Sequence, residues 1–262
     1  MRGVVIVTGG SSGIGKATAG LFASKGWKVY ELSRRGADCD GVTHITADVT
    51  DEKSLASAIG QVYEREQRLD ALVCNAGCGI SGAVEFTRLE DAQKQMDVNF
   101  FGTVRTIQQA LPYFRKSGGG HIVNISSMGG PLALPFQAFY SCSKSAVNSL
   151  TLALANELRP FNISVCAVMP GDVSTGFTAA REKSDKGTEL YGKTIERSVS
   201  TMEKDEQGGM KPERIAKKVY RMAQKKHPKP LSTVGLSYKL IAFVYKVLPF
   251  SLVNRLVGLL YC

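Results

Sequence analysis

Ser126-Ser127 is followed, thirteen residues beyond Ser127, by Tyr140-Ser141-Cys142-Ser143-Lys144. The tyrosine and the lysine stand four apart, which on a helix puts both on one face. An ammonium so placed favours the ionised phenol. For a phenol that ordinarily titrates near 10 to be half ionised near neutrality, the site must supply ~4 kcal/mol, and one cation in a partly dry cleft is a plausible source of much of it. Such a phenol can give or take a proton at an oxygen. A lone Tyr-x-x-x-Lys recurs on many surface helices, whereas the serine at a fixed offset makes the set specific.

A second constellation lies at the N-terminus, where Val4 to Thr8 runs into Gly9-Gly10-Ser11-Ser12-Gly13-Ile14-Gly15. Gly9, Gly13 and Gly15 stand where a tight turn, a close backbone approach to a pyrophosphate and a helix packed on its strand each call for glycine. The spacing is Gly-x-x-x-Gly-x-Gly and not the Gly-x-Gly-x-x-Gly of the standard dinucleotide fingerprint. The next strand ends in Glu31-Leu32-Ser33-Arg34-Arg35. An acidic residue there would bond a ribose 2′-hydroxyl, and an arginine would accommodate a 2′-phosphate. Ser33 removes the repulsion an aspartate would impose, and Arg34 or Arg35 can form charge-assisted bonds to phosphate, so NADP(H) is expected in preference to NAD(H). The competing reading leaves both arginines solvated and gives the ribose to Glu31.

These residues need elements to position them. Short β-branched runs (Val4 to Thr8, Lys28 to Ser33, Thr43 to Ala47, Ala71 to Asn75, His121 to Ser126, Ile163 to Met169) alternate with segments of amphipathic helical length. Those are Gly15 to Lys25, Asp51 to Arg68, Leu89 to Lys116, Tyr140 to Arg159 and Pro212 to Lys226. The alternation predicts an α/β fold, a single doubly wound parallel-sheet (Rossmann-type) domain over residues 1–235. A polar interruption predicts a substrate flap at about 172–211. Residues 236–262 form an apolar and basic tail. Leu236 to Leu248 is apolar on nearly every face, and Pro249 separates it from an amphipathic piece, Phe250 to Tyr261. Its uncharged stretches are well short of the ~20 residues a spanning helix needs.

Composition limits the alternatives. With 262 residues, 44% apolar and 21% charged, the chain has the makings of a packed core and not of a disordered segment. Its six cysteines show no Cys-x-x-Cys pair and no histidine at metal spacing, so they read as reduced thiols with no metal site. The N-terminal apolar run is too short for a secretory signal, and a cytoplasmic protein is expected. The net charge of +10 comes wholly from Arg214 to Cys262, which holds ten Lys or Arg and no acidic residue. Without interleaved aromatics or a recognition motif, that block does not read as a nucleic-acid site.

Together these residues resemble the short-chain dehydrogenase/reductase family over roughly Arg2 to Gly235. Thr8 to Gly15, Asp48-Val49, Asn75-Ala76-Gly77, Asn99, Ser127, Tyr140, Lys144 and Pro170-Gly171 follow in the family's order. The resemblance implies hydride transfer between a nicotinamide and a carbonyl carbon. Ser127 would polarise the substrate oxygen and Tyr140 would be the acid or base. Lys144 would hold the ribose and tune Tyr140, and Asn99 would kink its helix and help hold a proton-relay water. It implies a cofactor site of Gly9, Ser11, Ser12, Gly13, Ile14 and Gly15, with Ser33, Arg34 and Arg35, then Asp48 and Val49 at the adenine and Asn75, Ala76 and Gly77 along the dinucleotide. Pro170, Gly171, Val173 and Thr175 would lie at the nicotinamide. It also implies a homodimer or homotetramer through the helices Asn99 to Lys116 and Tyr140 to Arg159.

The stretches Cys78 to Gly82 and Leu134 to Tyr140 resemble the hydroxysteroid and retinol dehydrogenase branch. The lining candidates Cys78 to Ile80, Met128 to Phe136 and Phe177 onward are mostly apolar, which suits a lipophilic carbonyl or alcohol. The tail is compatible with an in-plane membrane anchor, and equally with packing over the cleft or across a subunit interface. The expected activity is therefore NADP(H)-dependent interconversion of a carbonyl and an alcohol on a steroid-like or retinoid-like substrate. A 3-oxoacyl thioester reductase and a dinucleotide-sensing interaction protein with little turnover are the alternatives.

Overall fold

Val4 to Thr8 is apolar almost without alternation, as a strand covered on both faces requires. In the computed structural model, which describes residues 2–262, this segment is β1, buried at every position. There follow α1 (Gly13–Ser24), β2 (Lys28–Ser33), β3 (Val42–Thr46), α2 (Glu52–Glu66), β4 (Ala71–Cys74), β5 (Ile80–Ser81), α3 (Leu89–Met96), α4 (Gly102–Lys116), β6 (Gly120–Ile125), α5 (Gly129–Leu132) and α6 (Ala138–Glu157). The second half comprises β7 (Ile163–Met169), α7 (Phe177–Ala180), β8 (Glu182–Lys183), α8 (Thr188–Tyr191), α9 (Thr194–Gln207), α10 (Pro212–Met222), β9 (Leu231–Thr233), α11 (Leu236–Val247) and α12 (Phe250–Tyr261).

Seven strands form one parallel sheet in the order β3-β2-β1-β4-β6-β7-β9. The order reverses between β1 and β4, and a crevice opens there beyond the carboxyl ends of the strands. Side chains alternate between the two faces of the sheet. Val4 and Ile6 meet a layer containing Leu55, Ile59 and Phe114 from α2 and α4. Val5 and Val7 meet Phe22, Ile215 and Val219 from α1 and α10. Full burial of each such side chain is worth about 1.5–3 kcal/mol, so both layers hold the sheet.

The expected strands stand within a residue of their sequence limits, while three features differ. The span Leu89 to Lys116 is not one helix, because a π-helical turn at Asp97–Phe101 divides α3 from α4. That turn accommodates the Asn99 side chain, which bonds the backbone of Cys78 and not its own helix. The last strand, β9, has only three residues among prolines and carries no legible periodicity. The polar interruption, expected to cover a site, is itself folded into α7, β8, α8 and α9, and β8 pairs with β5 from earlier in the chain. Among the described residues, no helix is long and apolar enough to cross a membrane.

Candidate active site

At the strand-order reversal lies a cleft of about 430 Å³. Its floor is the turn after β1. Gly9 and Gly13 adopt φ of 65° and 51°, the left-handed region that a Cβ disfavours. A Cβ at Gly15 would lie 2.2 Å from the Gly9 carbonyl oxygen, so strand and helix close on each other only with glycine there. No side chain caps α1, and Ser11, Ser12, Gly13 and Ile14 at its start line the cleft. Uncapped first-turn N–H groups beside a concave wall suit a pyrophosphate. A dinucleotide therefore fits this cradle on the geometry of its backbone.

Thr8 and Asn75 tie this turn to the loop after β4. The Thr8 hydroxyl accepts from the Asn75 and Ala76 N–H groups at 3.0 and 3.2 Å. The Asn75 amide donates to the Thr8 and Gly9 carbonyls at 3.1 and 3.0 Å. Gly77 then passes close to Asn99 and Lys144, where a Cβ would lie 3.2 Å from Asn99 Oδ1 and 3.6 Å from Lys144 Nζ.

Ser127 leaves β6 with its Oγ accepting from the Gly129 N–H at 3.0 Å. Tyr140 and Lys144 project from one face of α6 into the same cleft. The Lys144 Nζ stands 5.8 Å from the Tyr140 ring centroid and donates to the Ile125 carbonyl at 2.9 Å. Lys144 is only 5% exposed, and burial lowers its pKa to about 8, so it remains mostly protonated at pH 7. Asn99 accepts from the Cys78 N–H at 2.8 Å and donates to the Cys78 carbonyl and the Ser143 Oγ, both at 3.0 Å. It thereby holds the post-β4 loop against α6.

The expected lowering of the phenol does not dominate here. Burial pushes the Tyr140 pKa up, hydrogen bonding with Ser127 opposes it, and the charge of Glu206 adds to it. The physical reason is that the lysine points to a backbone carbonyl while the phenol ring packs on Phe177 at 5.8 Å. The protein alone thus keeps Tyr140 protonated, in the form of a general acid.

Pro170, Gly171, Val173 and Thr175 after β7 also line the cleft. Ser33, Arg34, Arg35, Asp48 and Val49 lie outside its lining, at the ends of β2 and β3. Arg34 and Arg35 are solvent-exposed. Glu31 is 2% exposed, and its carboxylate meets His44 Nδ1 beneath Gly10. Ser33 Oγ donates to that carboxylate at 3.2 Å. Asp48 serves its own turn, accepting from the Thr50 N–H and hydroxyl at 2.9 and 2.8 Å. Val49 packs against Gly102.

Sequence reasoning offered the far wall only as segments, a flap at about 172–211 and a tail that packs over the cleft, and did not single out its residues. Asp172, Glu206, Tyr238 and Tyr261 line the cleft, from segments too distant along the chain for any local pattern to link them to Tyr140. Glu206 is held in the flap by the Arg181 guanidinium and by Thr178 Oγ1 at 2.6 Å. The Tyr238 hydroxyl accepts from the Asp172 N–H at 3.0 Å and donates to its carboxylate. That tyrosine lies directly over Gly171, where no side chain would fit.

The chain matches the model of a family described as short chain dehydrogenase over residues 3–186. It is 40% identical over 235 residues to a 3-ketodihydrosphingosine reductase of Bacteroides thetaiotaomicron, spanning 88% of this chain and 87% of that protein. It is 37% identical over 193 residues to the human 17-beta-hydroxysteroid dehydrogenase type 1, spanning 67% and 58%. Among solved structures, a short-chain dehydrogenase from Streptomyces avermitilis superposes with a TM-score of 0.82 at 29% identity, covering 97% of each chain.

Proposed function

The chain belongs to the short-chain dehydrogenase family, in its hydroxysteroid and retinol dehydrogenase-like branch, and from that premise we propose an NADP(H)-dependent reductase of a ketone on a lipophilic substrate. One observation carries the reading, namely that Ser127, Tyr140 and Lys144 converge on a cleft whose opposite floor is a glycine cradle for a dinucleotide. When bound, the nicotinamide supplies or accepts the hydride. The Ser127 and Tyr140 hydroxyls take the substrate oxygen between them, and the negative charge that builds there meets donors already in place. Tyr140 gives its proton to that oxygen in reduction. The buried Lys144 ammonium holds the ribose and steadies the ionised phenol left behind. Asn99 keeps the loop above these groups at a fixed distance.

Glu31 supports the choice of NADP(H). Its carboxylate is turned under the turn and engaged by His44 and Ser33, while Arg34 and Arg35 stand free in solvent at the strand end to meet a 2′-phosphate. Apolar walls from Leu132, Leu134 and Phe177 support a lipophilic substrate. The carboxylates of Asp172 and Glu206 disfavour an anionic one. The name of the Bacteroides relative supports a long-chain ketone within that class. Exposed Phe101 and Leu152, on the π-helical turn before α4 and on α6, support assembly into a homo-oligomer through those helices.

The test is nicotinamide absorbance with NADPH and NADH over steroid ketones, retinal, long-chain ketones and 3-oxoacyl thioesters. Tyr140→Phe is expected to lower kcat about 10²- to 10⁴-fold with cofactor affinity retained. Arg34→Ala is expected to weaken NADPH binding about 10- to 100-fold and to leave NADH nearly unchanged, read by fluorescence titration. Full turnover by Tyr140→Phe would overturn the mechanism. NADH preference would overturn the cofactor assignment, and turnover confined to thioesters would replace the substrate class.

A further inference from the structure

The C-terminal helices α11 and α12 have two faces with different chemistry. Inward, Tyr238 and Tyr261 form part of the wall of the catalytic cleft, and Val253 and Val257 are buried. Outward, Leu236, Leu240, Phe243 and Val247 fall at i, i+4, i+7 and i+11 on α11 and are 81, 63, 63 and 64% exposed. One helical stripe is therefore apolar and in solvent. Leu252, Leu256 and Leu259 repeat the pattern at i, i+4 and i+7 on α12, again exposed. A soluble surface seldom carries two such exposed apolar stripes without a partner.

Charge selects the partner. Lys239 and Lys246, both exposed, flank the α11 stripe on one side, and exposed Arg255 borders that of α12. No acidic residue occurs between Arg214 and Cys262. The α10 cations join the same field, since Lys218 has its pKa lowered by burial and by the charges of Lys239, Lys225 and Arg221. A second copy of this surface would bring like charges together across a two-fold axis, because such an interface pairs a patch with itself. An anionic lipid surface has the opposite charge and an apolar interior for the leucines and phenylalanine. Apolar residues below and lysines at the flanks describe a helix lying in the plane of a bilayer.

We infer that α11 and α12 dock the protein on an anionic bilayer, and that the cleft, walled by the same two helices, takes its lipid substrate from that surface. The docking follows from the surface alone, while the delivery of substrate rests on reading the cleft as that of a lipophilic-ketone reductase.

The experiment is co-sedimentation of the full chain with vesicles of phosphatidylcholine alone and of phosphatidylcholine mixed with phosphatidylglycerol, at low and high salt. Two variants accompany it, the triple Lys239→Ala, Lys246→Ala, Arg255→Ala and the double Leu240→Ser, Phe243→Ser; all five side chains are exposed. Binding is expected only with phosphatidylglycerol present, to fall at high salt, and to weaken about 100-fold in the triple variant. Both variants should match the parent on a water-soluble ketone and lose turnover on a long-chain ketone presented in the anionic vesicles. No binding to anionic vesicles, or binding indifferent to lipid charge and to the triple variant, would overturn the proposal. So would self-association abolished by the double variant without vesicle binding, which would assign the face to a second copy. Vesicle binding as expected with no ketone reduced by the parent would sink the catalytic reading and leave the docking supported.

Discussion

Lys144 is the residue at which the proposed catalysis and stability oppose each other. Its ammonium is buried and, among the described residues, bonded only to the Ile125 carbonyl, and its pKa falls from 10.5 to about 8. At about 1.4 kcal/mol per pKa unit the protein bears roughly 3 kcal/mol for keeping the charge. Below pH 8 both folded and unfolded chains hold the proton and the cost is full. Between pH 8 and 10.5 the unfolded chain binds more proton, so this contribution to stability rises with pH. Lys144→Met should therefore be more stable than the parent at pH 7 by about 2 kcal/mol, after about 1 kcal/mol for the lost hydrogen bond. The difference should close towards pH 10.5, as measured by denaturant unfolding at both pH values. An equal difference at the two values would show that the ammonium is solvated. Glu31 teaches the complementary lesson. Its type alone admits a role at the ribose, and only its burial beneath Gly10 against His44 shows where its charge is engaged.

At the scale of the element, the joint between β1 and α1 is set by close approach more than by propensity. A methyl group at residue 15 would meet the Gly9 carbonyl oxygen at 2.2 Å and the Asn75 amide at 2.5 Å. Neither neighbour can yield cheaply, since Asn75 also holds the Thr8 and Gly9 carbonyls. Gly15→Ala should cost more than about 1–3 kcal/mol, the usual price of an overpacked position, and should weaken dinucleotide binding by more than tenfold. Thermal unfolding and cofactor titration check this together; unchanged values in both would mean that the turn is more open than described. The glycine pattern was legible because steric demand writes itself as residue type. The π-helical turn was not legible in periodicity, because Asp97-Val98-Asn99 continues a helical pattern; only the resemblance implied a kink at Asn99, and the pull of Asn99 towards Cys78 is what makes it.

Across the whole molecule, the tail closes what the sheet opens. Its link to the domain centres on Tyr238, whose hydroxyl joins both the backbone and the carboxylate of Asp172. Burial and that carboxylate together push the Tyr238 pKa well up, so the phenol stays a donor throughout the neutral range. Tyr238→Phe should lower stability by about 1–2 kcal/mol and raise hydrogen exchange across residues 236–247, with the exchange of β1 and β4 unchanged. Equal protection in the variant would mean that apolar contacts alone seat the helix.

Taken by itself, the amino-acid sequence determined the alternation of strands and helices, the glycine turn, the Ser127, Tyr140 and Lys144 set, and the two-part tail with its excess of charge. Each of these is a local matter of periodicity, spacing or steric demand, readable within some twenty residues. The tertiary structure decided that Asp172, Glu206, Tyr238 and Tyr261 form the far wall of the cleft. It likewise decided that burial holds the Tyr140 proton against the pull of a nearby cation, and that the tail presents one face to the cleft and another to solvent. Those outcomes depend on which segments meet and how much water they exclude, and desolvation and contact between distant segments leave no mark in the order of residues along the chain.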